Sequence, residues 1–253
     1  MTYLETEVID IGSLVAIARK ALRGFGKTQY LFRGHAVADW KLIPSVHRHY
    51  DSIGEQSLAG RFRLAAPTRY SNCPDLNDVA SWISLMQHFG LPTRLLDWTG
   101  SLLTAAYFAV AHEPKTGPAA IWVLLPSELN KVSRYKKDAA FLLHGPEARP
   151  LLSAAINGSP CDDDVIAVLP VDLDLRMTVQ LGAFTLHATA EPLEERKGAE
   201  NYLAKFIIPE DAKPILRDEL WVLGVRRSML FPDLENLAQD LASDNRLISR
   251  RRQ

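Results

Sequence analysis

Cysteine is scarce in this chain of 253 residues: Cys73 and Cys161 stand far apart and in no metal-ligand spacing. A disulfide framework and a zinc knuckle are therefore excluded. Long apolar runs are missing too. The longest, Leu102 to Ala111, is broken by Thr104 and falls well short of the roughly 20 residues a bilayer requires. Charge of one sign is not in excess, since 29 Lys and Arg face 30 Asp and Glu for a net −1 at pH 7. That balance argues against a surface that coats nucleic acid or anionic lipid. The local basic runs, Arg19, Lys20, Arg23 and Lys27 and then Arg250 to Arg252, read as solvated faces. The acidic opening MTYLETEVID does not have the basic-then-apolar pattern of a secretory signal. No repeat, low-complexity tract, GxGxxG, GxxxxGK[ST], HExxH, GxSxG or CxxC pair occurs. Asp162-Asp163-Asp164 lacks the alternation and closing Glu of a calcium loop and reads as a turn. What is present is 47% hydrophobic residues, ample for a sizeable core. The expectation is a soluble globular protein of a reducing compartment, cytoplasmic and without a membrane partner.

Apolar periodicity predicts a helix over Ile11–Leu22 with Ser13 as cap, ended by Gly24 and Gly26, and another over Asp75–Phe89 capped by Asp75 and ended by Gly90. A loop with Pro92 and a helix ending near His112 follow. Strands are predicted at Tyr30–Arg33, Ala119–Leu125, Val165–Val171, Phe184–Ala188 and Leu203–Ile208. Helices over Asp211–Leu223 and Asp233–Ala242 flank a short predicted strand at Ser228–Phe231, while Asp138–Leu152 stays ambiguous and the tail SRRRQ reads as loose. Together these imply one α+β domain with helices packed on a mixed sheet. The expected division is an N-terminal helix (1–29), the main domain (30–240) and a basic tail (241–253).

Three clusters could carry chemistry. In the first, Leu31-Phe32-Arg33-Gly34-His35 followed by Trp40-Lys41-Leu42-Ile43-Pro44-Ser45, a rigid strand would project a guanidinium. Gly34 would let a ligand approach the backbone, a setting suited to phosphate or carboxylate. A structural ion pair is the alternative. The second is Gln87-His88-Phe89-Gly90-Leu91-Pro92-Thr93-Arg94-Leu95-Leu96-Asp97-Trp98-Thr99, read as a short loop between two helices. His88 would sit at the negative end of a helix dipole, and Asp97 or Thr99 would cap the next helix. Trp98 could stack on a planar ring or fill the core, and Arg94 could pair with Asp97. The third runs from Arg176-Met177-Thr178 through Gln180 and Gly182 to His187. There Gln180 and His187 could border a cleft, although for His187 an edge strand with satisfied polar groups is the preferred reading.

The blocks LFRGH, MQHFGLPTRLLDWTGSLLTAAYFA, QLGAFTLH and LFPDLENLA resemble the FRG-domain family, named for its Phe-Arg-Gly signature, over most of the chain from Tyr30 to Ala238. The resemblance by itself names no reaction. A second similarity lies in motif order: Phe32-Arg33-Gly34, then Trp98-Thr99 leading into Ala105-Ala106-Tyr107-Phe108, then Gln180. This order is similar to that of the mono-ADP-ribosyltransferases, and it implies a split sheet with NAD as substrate. Arg33 would then grip the pyrophosphate or the nicotinamide ribose, Thr99 would fix the geometry, and His88 and Arg94 would line the same cleft. The sequence departs from that pattern at Gln180, which stands where a catalytic Glu is usual; Asp97 or Glu191 would have to supply the carboxylate.

The resulting expectation is an enzyme that cleaves NAD, as an ADP-ribosyltransferase or NAD glycohydrolase, acting as a bacterial toxin or phage-defence effector. Its catalytic residues would be His88, Arg94, Asp97 and Gln180; Arg33, Gly34, His35, Trp98 and Thr99 would bind ligand, with no metal. The partners expected are a nucleotide-like small molecule and a macromolecular acceptor. Two alternatives stand beside it. One is a metal-assisted phosphoester or nucleic-acid hydrolase using His35, His88, Asp97 and His187. The other is a non-catalytic nucleotide sensor.

Overall fold

The computed structural model describes residues 7–23, 29–111, 116–170 and 179–250, with side chains through residue 242. In chain order the elements are α1 (Ile11–Leu22), β1 (Leu31–His35), α2 (Ser45–His49), α3 (Ser52–Ala65), α4 (Val79–His88), β2 (Leu95–Thr99) and α5 (Leu102–Val110). Then come β3 (Ala119–Leu124), α6 (Pro126–Val132), β4 (Phe141–Leu142), α7 (Arg149–Asn157), β5 (Val165–Leu169) and β6 (Gly182–His187). The last are β7 (Leu203–Ile208), α8 (Ala212–Val222), α9 (Arg227–Leu230) and α10 (Leu234–Arg250).

The seven strands form one sheet in the order β4-β5-β6-β2-β1-β3-β7. Only β4 and β5 run parallel, so the sheet is mixed, as expected. Its two halves differ in what covers them. On one face, α1, α5 and α8 bury Leu14, Ala105, Ala109 and Leu216 against Phe32, Ile121, Val123 and Phe206 of β1, β3 and β7. On the same face of the other half, α3, α4 and α7 bury Ala59, Ile83, Met86 and Leu151 against Leu95, Ile166, Phe184 and Leu186. The opposite face is closed by a third cluster that includes Leu42, Trp98, Trp122, Leu124, Leu193 and Tyr202. The helix of the N-terminal segment thus belongs to the main core.

The two helical packs meet at the seam between β1 and β2. There the strands share one register pair, Phe32 with Thr99, whereas β1 pairs with β3 along all five of its residues.

Several expectations need correction. Leu95–Thr99 is a strand, not part of a loop, because four of its five residues are buried and no apolar–polar alternation marks it. Helix α5 is capped by Ser101, whose Oγ accepts from Thr104 N at 3.2 Å, not by Asp97 or Thr99. Helix α4 starts later than predicted: Asp78, not Asp75, is its cap and accepts from Ser81 N. Asp10 caps α1, and Ser13 closes the capping box from within. Residues 227–230 form a helix instead of a strand, and α10 runs through Arg250 instead of stopping at Ala242. Residues 24–28, 112–115 and 171–178, which include the predicted helix stop, His112 and the Arg176-Met177-Thr178 part of the third cluster, lie outside the described residues, as do 1–6 and 251–253.

Candidate functional site

The separation of β1 and β2 opens a cleft of about 420 Å³, within the range typical of small-molecule sites. Arg33, His35, Trp40, Arg48, Gln87, Asp97, Thr99, Phe108 and Gln180 are among the residues that line it.

Arg33 fills the gap between the strands. Its Nη1 donates to the Asp97 carbonyl at 2.6 Å, and its Nε donates to His35 Nε2 at 3.0 Å. The Asp97 carboxylate lies 3.9 Å from Nη1, beyond hydrogen-bond reach. Burial pushes the guanidinium below its ordinary value, opposed by the nearby Asp97 charge; an arginine remains protonated regardless. His35 is buried, and burial followed by the charge of Arg33 lowers its pKa to about 3. It is therefore neutral, and because Nε2 accepts from Arg33 the ring proton sits on Nδ1. A second guanidinium enters from α2, where Nε and Nη2 of Arg48 both donate to the Ile43 carbonyl, at 3.0 and 2.8 Å. Two cations thus share the cleft with one carboxylate, leaving net positive charge. Trp40, 40% exposed, sets its ring edge-on to His35 with centroids 6.0 Å apart, and Phe108 supplies a second aromatic wall.

Asp97 is held from α4. Thr93 Oγ1 donates to Gln87 Oε1 at 2.5 Å, which turns the Gln87 amide so that Nε2 donates to Asp97 Oδ2 at 2.9 Å. Oδ1 has no hydrogen-bond partner among the described residues. At the far end of the cleft Thr99 Oγ1 donates to the Gln180 carbonyl at 2.5 Å, and the Gln180 amide donates to the Leu230 carbonyl at 2.7 Å. The next residue, Leu181, adopts a left-handed backbone with φ of 48°, a conformation that is costly for a leucine and concentrates at functional segments.

The expected residues therefore divide. Arg33, Asp97, Thr99 and Gln180 converge on the cleft. His88 lines a smaller adjoining cavity that shares Gln87, Asp97, Trp98 and Gln180 with it. Arg94 does not join them: it is sealed in the interior, donating from Nε and Nη2 to Glu55 at 2.9 and 2.5 Å and from Nη1 to the Leu151 carbonyl at 2.8 Å. That pair ties β2 to α3 and α7 and has no contact with the cleft. Trp98 borders the cleft but is largely buried, and its Nε1 donates to Thr185 Oγ1 at 3.1 Å. Gly34 borders the cleft, but helix packing sets its identity. A Cβ there would lie 2.0 Å from the Ala105 carbonyl oxygen and 2.7 Å from Ala109 N of α5.

His187 is fully buried on β6, a strand inside the sheet, with Nε2 2.8 Å from Thr185 Oγ1 and Nδ1 without a hydrogen-bond partner among the described residues. The expected edge strand with satisfied polar groups is thereby corrected, because β2 and β5 cover both sides of β6. Glu191 is taken by Arg196 at 3.0 Å and is not among the cleft-lining residues. No three His, Cys, Asp or Glu side chains come together as a ligand set among the described residues, so His35, His88, Asp97 and His187 do not form the grouping a metal-assisted hydrolase would need. No described helix is long and apolar enough to cross a membrane.

Arg48, Trp40, Gln87 and Phe108 received no role from the sequence. Gln87 and Trp40 sit inside the motif blocks, so their proximity to Arg33 and Asp97 was the available signal. Arg48, in the run Val46-His47-Arg48-His49, had none. Residues 28–117 match the family model of the FRG domain, a span that contains Arg33, Arg48, Gln87 and Asp97 but not Gln180. No curated protein and no solved structure matches the chain.

Proposed function

Taking as premise that the chain carries an FRG domain, we propose that its cleft binds NAD and breaks the nicotinamide–ribose bond. The observation that supports this reading is the meeting of two guanidiniums, one carboxylate and exposed aromatic surface where β1 and β2 part. Arg33 and Arg48 suit the pyrophosphate, since a guanidinium binds phosphate oxygens in a forked geometry. Trp40 and Phe108 suit the planar rings at either end of a dinucleotide.

The reaction asks for orientation and electrostatics more than for covalent chemistry. As nicotinamide departs, positive charge develops on the ribose, as in glycoside hydrolysis. The Asp97 carboxylate, held by Gln87 with one oxygen unengaged, is suited to face that charge. Gln180 cannot take this part: an amide holds no proton-accepting charge, and its NH₂ is committed to Leu230. Asp97 is the one carboxylate that borders the cleft among the described residues.

The test is incubation of purified protein with labelled NAD. Release of free nicotinamide, lost in Asp97→Asn with NAD binding retained, is expected; an unchanged rate in that variant would remove Asp97 from the chemistry. Induction of the chain in a bacterial host should lower cellular NAD and slow growth if the activity serves as a toxin or defence effector. The commitment of Gln180 to Leu230 favours one second reading, a nucleotide sensor. Tight NAD binding with no nicotinamide release from the unmutated protein would establish it.

A further inference from the structure

Behind Asp97 lies a second cavity of about 60 Å³, walled by Ser84, Gln87, His88, Asp97, Gln180, Gly182 and Phe184 among others. Ser84, Gln87 and His88 occupy one face of α4 by their three- and four-residue spacing, and that helix lies across β2 and β6. Ser84 is 2% exposed, and its Oγ has no hydrogen-bond partner among the described residues. A helical serine ordinarily bonds its hydroxyl to the carbonyl one turn back, and buried polar atoms are nearly always satisfied. An unpaired hydroxyl bordering a small cavity that Gln87, His88 and Asp97 also line therefore points to a polar guest.

The volume suits a small guest: sixty cubic ångströms is room for about two water molecules. Four walls of the cavity, including Asp97, are also walls of the larger cleft, so a molecule held there adjoins whatever the cleft binds. We infer that this cavity is a water site and that the acceptor of the reaction is water, which makes the protein an NAD glycohydrolase. The inference rests on the NAD-cleaving reading above and names its acceptor.

In the step so implied, the bond between ribose C1′ and the nicotinamide nitrogen breaks, and its electron pair stays on that nitrogen. A lone pair of the water oxygen forms the new bond to C1′. The water proton passes to the Asp97 carboxylate and then to solvent. The products are nicotinamide, ADP-ribose and one proton. Ser84 and His88 are positioning residues for the water, and Asp97 is the catalytic residue.

The experiment follows products of NAD cleavage in water and in aqueous methanol by the unmutated protein, Ser84→Ala and Ser84→Thr. Unmutated protein should yield ADP-ribose with no label on protein. Ser84→Ala keeps the helix and the space but loses the hydroxyl. It should lower kcat for ADP-ribose about tenfold, the effect of one hydrogen bond in the transition state, leave KM within about twofold, and raise the ratio of methyl ADP-riboside to ADP-ribose. Ser84→Thr should restore the hydrolytic rate, which a merely structural serine would not require. Hydrolysis by Ser84→Ala at the full rate and ratio, or label transferred mainly to protein, would overturn the water site while leaving NAD cleavage standing. Absence of nicotinamide release from the unmutated protein would overturn both.

Discussion

Two arginines flank neighbouring strands and meet opposite fates. Arg94 enters β2 with each end of its fork satisfied, bidentate to Glu55 and donating to the Leu151 carbonyl. Arg33, on β1, donates to a neutral histidine and a backbone carbonyl, while the nearest carboxylate stays 3.9 Å away. A guanidinium that has its own carboxylate in the interior holds the fold together and has no charge to offer. One held in place by neutral acceptors keeps its positive charge directed at a guest. Residue type does not separate these cases; burial and the partner do, Arg94 being sealed and Arg33 only half-buried.

Breaking the sealed pair should produce the largest effect. Glu55→Gln leaves a buried guanidinium without its counter-charge, at a cost of about 3–5 kcal/mol. Calorimetry should show a drop of roughly 10 °C or more in Tm, whereas NAD affinity of the remaining folded protein should not change. Gly34→Ala ranks next, because the added methyl meets helix backbone and not a flexible side chain. A loss of about 1–3 kcal/mol in denaturant unfolding is expected, and a neutral result would mean that α5 can withdraw from β1.

Arg33→Met sharpens the contrast from the other side. NAD affinity should fall roughly 10- to 100-fold, as for loss of about 1.5–3 kcal/mol of charge-assisted hydrogen bonding, while Tm moves little. Isothermal titration beside a melting curve gives both numbers, and equal damage in both would assign Arg33 to structure.

A further effect, absent at neutral pH, is on pH dependence. His35 and His187 are neutral when folded because burial lowers both, His35 to about 3 and His187 well below the ordinary value. Each gains a proton on unfolding once the pH is below about 6.5. Their contribution is therefore complete above that pH and is lost as the pH falls toward the folded-state values. The expected slope is about 1.4 kcal/mol per pH unit for each histidine. Urea unfolding between pH 4 and 7, flattened by one such increment in His35→Gln, checks it.

Much of the scaffold was legible in the chain. Amphipathic spacing marks α1, α4 and α8, and short apolar runs bounded by Pro or Gly mark β3, β5 and β7. The strand β2 was not legible. Leu95-Leu96-Asp97-Trp98-Thr99 is buried on both sides, so the alternation that identifies a half-exposed strand is absent. The pairing of Arg94 with a carboxylate 39 residues upstream left no local trace, and Arg94 beside Asp97 suggested a different partner. Gly34 looked like a concession to a ligand for the same reason: α5, the element that needs the space, lies about 70 residues further along.

By itself, then, the order of residues determined the α+β class, the helix-forming and strand-forming segments, and the blocks in which chemistry would be sought. Those properties depend on neighbours along the chain, through side-chain periodicity and turn chemistry. The tertiary structure alone decided which arginine faces the cleft, that β1 and β2 part there, and that Asp97 stands between a large cavity and a small one. Such outcomes depend on charge partners and backbone approaches between distant segments, and these exist only once helices from both halves close over one sheet.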